Sequence, residues 1–240
     1  MTELVTVSEQ ETHVLLAMDD GKANALGFDM FAALNSGLDQ AAAAGKVVVI
    51  AGRPGKFSAG FDLSVMGQGG EATLKLLREG ADMARRLMAF ETPVILAVSG
   101  HALAMGALTC LSADYRIGMH GNYKLGLNEA AIGMTLPWFG IELARDRLAK
   151  PHFGQSVGLA RIYDPLGAVE AGFLDEVVEE DRLMVRVEEM AAALSALDMP
   201  SHRNSKLRVR EEFFARYDEA LAYYERYQAL AGEDQQVSRW

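Results

Sequence analysis

Hydrophobic and polar positions follow two different periods along this chain, and the switches between them mark out its elements. Residues 4–7 and His13–Met18 read as short strands separated by the polar turn Ser8-Glu9-Gln10-Glu11. Phe31, Leu34 and Leu38 then recur at three- and four-residue spacing, which predicts a helix over Phe28–Ala44 closed by Gly45. Val47–Ala51 is an unbroken, largely β-branched run ended by the turn Gly52-Arg53-Pro54-Gly55. A strand apolar on both faces predicts a parallel sheet covered on both sides. The sequence then cycles again through an amphipathic helix over 71–90, a second apolar run at Val94–Val98 and a small-residue helix over 105–113. After a short strand at 115–118, helices dominate, at 139–148, 151–160, 168–171 and 183–197. Pro200 marks a break, and a last helix is expected over 207–231, carrying Phe213, Phe214, Tyr217, Tyr223, Tyr224 and Tyr227. Such an aromatic stripe packs either on the body of the protein or on a neighbouring subunit, and burial against neighbours is the expectation here. The chain accordingly divides into a core of residues 1–190 and a C-terminal helical region of residues 191–240.

Composition narrows the functional classes. Half of the 240 residues are hydrophobic and 23% are charged, the balance of a soluble globular protein able to bury its own core. A formal net charge of −10 argues against nucleic acid as a partner. It leaves room for an anionic small ligand held by a local basic patch. One cysteine, Cys110, forms neither an internal disulfide nor a thiolate cluster, and a reducing cytoplasm fits. The N-terminus lacks the basic and apolar regions of a signal peptide. Residues 93–113 contain no Asp, Glu, Lys or Arg, about the length that crosses a bilayer. Pro93 opens that stretch and Ser99-Gly100-His101 interrupts it, so it reads as strand, turn and helix, with no membrane expected. No second histidine or carboxylate stands at metal-ligand spacing from His101, so no metal is expected.

Two segments share one design, a β-branched strand followed by a turn of small residues and a helix start. The first is Val47–Ala51 with Ser58-Ala59-Gly60-Phe61-Asp62. The second is Val94–Val98 with Gly100-His101-Ala102-Leu103-Ala104-Met105-Gly106. Backbone N–H groups at a helix N-terminus lack intrahelical acceptors and attract developing negative charge. Two of them converging on one point would form an oxyanion hole for an enolate made beside a thioester. Taken alone, such small residues serve equally well for ordinary close packing of strand on helix.

The run Lys56-Phe57-Ser58-Ala59-Gly60-Phe61-Asp62-Leu63, together with Pro93 to Ala102, resembles the enoyl-CoA hydratase/isomerase (crotonase) superfamily. Further matches are Lys22-Ala23-Asn24-Ala25-Leu26, Ala113-Asp114-Tyr115-Arg116-Ile117 and the stretch from Ala168 to Val178. The resemblance implies an α/β fold, a crotonase-like spiral of ββα units with a C-terminal α-helical trimerisation region. It also implies acyl-CoA thioester substrates, with CoA as part of the substrate and no separate cofactor, and a homotrimer or dimer of trimers. The family's oxyanion donors correspond here to the N–H groups of Phe61 and Met105. Met105 departs from the family's usual glycine, and its side chain either narrows the acyl pocket or packs in the core as an adaptable side chain. Lys22, Arg53 and Lys56 are candidates for the CoA phosphates by position, and Ala23, Ala59 and Asp62 match main-chain positions that hold the adenine. Leu63 and Leu108 complete the expected substrate-binding set.

Hydratases of this superfamily hold a water between two glutamates. Their positions fall here on Leu108 and Glu129, so one carboxylate is missing. Moving a double bond from C3 to C2 of an enoyl-CoA needs only one base, which removes a proton from C2 and returns one to C4. Leu127 and Ala130-Ala131-Ile132 provide apolar surroundings that raise a carboxyl pKa. The segment from Leu125 to Phe139 looks most like the mitochondrial-type 3-enoyl-CoA to 2-enoyl-CoA isomerases, whose single glutamate takes the place of Glu129. The leading reading is therefore an isomerase. An enoyl-CoA hydratase of fatty acid β-oxidation, a catalytically silent acyl-CoA-binding protein and another superfamily reaction remain as alternatives. His101 is expected to be structural, Asp62 to cap a helix, and Glu142 to sit on a helix surface. Ser58 and Cys110 lack a base partner for covalent catalysis.

Overall fold

Each β-branched run becomes a strand of one parallel sheet, and each turn after it feeds a second layer. The computed structural model describes residues 3–231. An antiparallel hairpin of β1 (Val5–Glu9) and β2 (His13–Met18) starts the chain, followed by β3 (Ala25–Leu26) and α1 (Phe28–Ala44). The next turn of chain is β4 (Val47–Ala51), β5 (Gly55–Ser58), β6 (Gly60–Phe61), α2 (Leu63–Met66) and α3 (Gly70–Met88). A third holds β7 (Val94–Val98), β8 (Gly100–Leu103) and α4 (Met105–Ser112), and a fourth opens with β9 (Tyr115–Met119) and β10 (Leu125–Gly126). Beyond these come α5 (Trp138–Arg147), α6 (Lys150–Leu159), α7 (Pro165–Ala171), β11 (Glu176–Val178) and α8 (Leu183–Ser195). The chain closes with α9 (Met199–Val209) and α10 (Glu211–Ala231). The main sheet runs β1-β2-β4-β7-β9-β11, parallel from β2 onward, while β10-β8-β5 and β3-β6 form smaller parallel sheets. Successive turns thus stack as a spiral.

The two apolar faces of the central strands go to two different cores. Val48, Ile50, Val94 and Leu96 join Leu34 and Leu38 of α1, Leu87 of α3 and Leu111 of α4. Val47, Val49, Ile95 and Ala97 face the other way, onto Leu183, Val187 and Ala191 of α8. Coverage on both sides is why these strands carry no polar alternation. Residue 190, the expected end of the core region, falls inside α8. Residues 93–113 form β7, β8 and α4, and no helix among the described residues is long and apolar enough to cross a membrane.

The C-terminal region departs from expectation in two ways. In place of one helix over 207–231 there are two, and Pro200 opens α9 where a break was expected. Proline is tolerated in a first helical turn, whose N–H groups lack partners anyway, and Asp198 caps that turn by accepting from the Ser201 N–H at 2.9 Å. Part of the aromatic face also turns inward, while Tyr223 stays exposed beside Trp138. Phe213 and Tyr217 are buried within this chain, Tyr217 against Phe139 of α5 and Phe213 against Tyr217, and the Tyr217 hydroxyl donates to the Ala81 carbonyl at 2.8 Å. They are thus not available to a neighbouring subunit. The side chains of Tyr224 and Tyr227 lie outside the described residues.

Arg210, at the break between α9 and α10, belongs to a buried charge network. Asp114 accepts from Lys206 Nζ at 2.5 Å, from Arg210 Nη2 at 2.9 Å and from the Val94 N–H at 2.9 Å, tying both C-terminal helices to the edge of β7. Burial pulls the Lys206 pKa down from its ordinary value. Removing the carboxylate would strand two buried cations, so Asp114→Ala is expected to cost about 3–5 kcal/mol of stability. Denaturant unfolding at neutral pH measures it, and a loss below about 1 kcal/mol would show that the pair is held no better than a surface one.

Candidate active site

The site grows from two chain segments locked together by backbone hydrogen bonds. Asn24, in a left-handed conformation with φ 51°, donates through Nδ2 to the Met18 carbonyl and the Phe57 carbonyl, both at 3.1 Å. Ser58 Oγ donates to the Asn24 carbonyl at 2.7 Å and accepts from the Gly60 N–H at 3.2 Å. The Ala59 N–H donates to the Ala23 carbonyl at 2.9 Å. These bonds aim β6 directly at the start of α4. Gly60 sits at φ +100°, and a Cβ there would lie 2.8 Å from the Ala104 Cβ and 3.2 Å from the Met105 nitrogen. A Cβ on Gly106 would lie 2.5 Å from the Ser58 carbonyl oxygen. Only glycine permits both approaches. Ala104 turns the chain from β8 into α4 at φ 49°, ψ −122°, a sparsely populated conformation of the kind that collects at functional sites.

Two amides are free to point out of this junction. The Asp62 N–H donates to the Leu26 carbonyl of β3 at 3.2 Å. Successive strand N–H groups face opposite sides, so the Phe61 N–H points to the free edge of this two-stranded sheet. Met105 opens α4, and its N–H has no intrahelical acceptor.

Beside the junction lies a cavity of about 150 Å³, bounded by Ala59, Phe61, Ala104 and the loop after β10. Glu129 stands on that loop, just before a 3₁₀ turn at Ala130–Ile132. Its carbonyl accepts from the Ile132 N–H at 3.0 Å and the Met134 N–H at 2.9 Å, which holds the backbone. The side chain is 7% exposed, and its Oε2 is buried with no hydrogen-bond donor. Burial pushes the carboxyl pKa up to about 7, opposed in part by the residue's own N–H. A carboxyl that titrates near neutrality can both take and return a proton.

Of the residues expected from sequence, Ala59, Phe61, Leu63 and Glu129 meet on this cavity. The others do not line it. Met105 is fully buried, and its sulfur lies 3.3 Å from where a Cβ on Gly80 would stand. The side chain therefore packs on α3, the core-packing alternative, and does not line the cavity. Leu108 is buried beneath α5, 3.0 Å from a Cβ built on Gly140. Lys22 is exposed, Ala23 uses its carbonyl on Ala59, and Asp62 caps α2 by accepting from the Ser64 N–H at 2.8 Å. Glu142 pairs with Arg145 and Arg216. His101 accepts through Nδ1 from the Lys124 N–H at 3.0 Å, and burial with two nearby lysines keeps its pKa below the ordinary value. Burial pushes the Cys110 thiol up to about 12, which makes it inert as a nucleophile. Sequence reasoning missed Met66, Leu77, Asn128 and Thr135 on the cavity wall. Met66 and Leu77 look like ordinary helix-core positions, whereas Asn128 stood next to the singled-out glutamate.

Residues 9–228 match the family model described as enoyl-CoA hydratase/isomerase. This chain belongs to that family. Among curated relatives it is 28% identical over 167 residues to enoyl-CoA delta isomerase 1, mitochondrial, of Rattus norvegicus, covering 69% of this chain and 58% of that protein. It is 32% identical over 146 residues to crotonyl-CoA hydratase of Syntrophomonas wolfei, covering 60% of this chain and 55% of that protein. The matches thus span little more than half the length of these relatives. A crystal structure of an enoyl-CoA hydratase/isomerase family protein from Pseudomonas syringae is 42% identical, with a TM-score of 0.91, covering 95% of this chain and 98% of that one. The spiral of this family member is the crotonase fold.

The raised carboxyl has a consequence for stability. The folded state keeps the Glu129 proton up to about pH 7, whereas the ordinary value is 4.5. A proton bound more tightly in the folded state stabilises it at low pH, and that contribution is lost as pH rises from about 4.5 to about 7. At about 1.4 kcal/mol for each pH unit, the loss comes to about 3.5 kcal/mol. Glu129→Gln should therefore be more stable than the wild type at pH 8, with the difference closing towards pH 4.5. Unfolding midpoints at the two pH values check this, and equal stability at pH 8 would mean that the carboxyl is solvated.

Proposed function

We propose that this family member moves the double bond of a 3-enoyl-CoA to give the 2-enoyl-CoA, with Glu129 as its base. The observation that carries this reading is a buried carboxyl without a hydrogen-bond donor at Oε2, the one titratable group among the described residues that line a cavity bounded by Phe61 and by Ala104 at the start of α4. The Glu129 carboxylate takes a proton from C2, and the electron pair passes to the thioester oxygen, where the N–H groups of Phe61 and Met105 stabilise it. Glu129 then returns the proton to C4 and the double bond settles between C2 and C3. No atoms are gained or lost. Leu108, where a second acid would stand, is buried beneath α5, which supports a one-base reaction.

The cavity also speaks to substrate size. Its volume of about 150 Å³ matches that of an engineered apolar cavity that holds benzene. An acyl tail of about six carbons fits this space. Turnover should therefore favour a hexenoyl over a dodecenoyl thioester by about tenfold or more in kcat/KM. Equal values would mean that the longer tail leaves through the mouth beside Leu63, which is 67% exposed.

Glu129→Gln keeps size and polarity but removes the proton acceptor, so kcat should fall by roughly 10²–10⁴-fold. Affinity for acyl-CoA should change little, because the thioester contacts come from backbone groups. Wild-type kcat should rise with pH through about 7 as the carboxyl ionises. Isomerisation that survives Glu129→Gln would remove the one-base mechanism.

A further inference from the structure

Gly80 lies buried in the middle of α3, a place where glycine is the least favourable residue after proline. Two side chains explain why a larger residue is kept out. A Cβ at position 80 would stand 2.5 Å from Cζ and 2.6 Å from Cε1 of Phe61, and 3.3 Å from Sδ of Met105. These are the two residues whose N–H groups receive the thioester oxygen in the proposed reaction. The Phe61 ring makes the tighter contact. Its tip rests on the bare backbone of α3, and it meets Phe31 edge to face with centroids 6.2 Å apart. Phe61 also lines the cavity, together with Leu77, one turn before Gly80 on α3.

We propose that Gly80 is a specificity-determining residue: the absence of a side chain there seats the Phe61 ring against α3 and keeps it out of the space for the acyl tail. The inference rests on reading the cavity as an acyl-thioester site. A methyl group at position 80 would drive the ring tip about 1 Å or more from α3, since carbon atoms settle at about 3.5–4.0 Å. Phe31 is fully buried and closes the inner side of the ring. The direction left to the ring is the cavity. Met105 yields more easily, because its thioether chain adapts to irregular space. The backbone of Phe61 has its own anchors on either side, the Gly60 N–H on Ser58 Oγ and the Asp62 N–H on the Leu26 carbonyl. A displaced ring therefore takes volume from the tail and leaves the Phe61 N–H in place. In a cavity of about 150 Å³ that volume decides which tails fit.

The full chain is assayed for isomerisation of 3-butenoyl-CoA, whose acyl group ends at the reacting C4, and of 3-hexenoyl-CoA, which carries two carbons more. Gly80→Ala should lower the ratio of hexenoyl to butenoyl kcat/KM by about tenfold or more. A merely structural role would lower both values alike and leave the ratio where it was. Leucine lacks the Cε1 and Cζ atoms that the new methyl group would meet, so Gly80→Ala combined with Phe61→Leu should restore the ratio. Phe61→Leu alone guards against a folding failure of the alanine variant. It should open the cavity and raise the ratio of 3-octenoyl to 3-hexenoyl kcat/KM. A ratio unmoved by Gly80→Ala, a double variant that does not restore it, or Phe61→Leu with the wild-type tail preference would overturn the role of Gly80 while leaving the isomerase reading intact. Wild type that isomerises none of these thioesters would remove the underlying reading itself.

Discussion

The close passage of β6 across the first turn of α4 is the constraint on which the rest of the site depends. It exists because Gly60 and Gly106 present no side chain where the two backbones meet. A β-carbon at either position would push the strand off the helix, and the amides of Phe61 and Met105 would move apart. The approach also explains the strained Ala104, which must reverse the chain within a single residue to begin α4 on time. The hydrogen bonds of Asn24 and Ser58 hold the strand side of the junction rigid, so the strain is carried by the surrounding fold and not relieved by it.

Two carboxylates, both largely withdrawn from solvent, show how the same fold treats structure and chemistry differently. Asp114 is surrounded by Lys206, Arg210 and the Val94 N–H, and it fastens the C-terminal helices to the sheet. Glu129 is buried with nothing to satisfy its Oε2, and the result is a carboxyl that titrates near neutrality. The first arrangement stabilises the protein. The second costs stability above neutral pH, and that cost is what makes the group useful as the proposed base. Asn128 Oδ1 beside it repeats the pattern in a group that does not titrate.

Much of the fold was legible because its periodicity is strong. The runs at Val47–Ala51 and Val94–Val98 have no polar residue to place at a surface, so a doubly covered parallel sheet was the available solution. α1 was bounded correctly by its apolar spacing and by Gly45, which takes the left-handed conformation at φ 64°. The C-terminal region was less legible, because Pro200 is compatible with either a break or a helix start, and the Asp198 cap decided between them. The aromatic stripe likewise did not say what it would face. Tyr217 went to Phe139 of its own chain, with Phe213 packed on Tyr217, because α10 folds back onto α5.

At the site, residue pattern alone pointed to two small-residue turns before helix starts, which are local properties of the backbone, and it was the resemblance to the family that picked out Glu129 and Phe61. Local pattern could not say where side chains go. Met105 turns to α3 because Gly80, a turn of chain earlier, leaves room for its sulfur. Leu108 lies under α5 and not on the cavity for the same kind of reason, a contact between residues far apart in the chain. The orphaned oxygens of Asn128 and Glu129 belong to this class as well. Whether a buried acceptor finds a donor depends on every element packed around it, and only the assembled spiral brings those elements together.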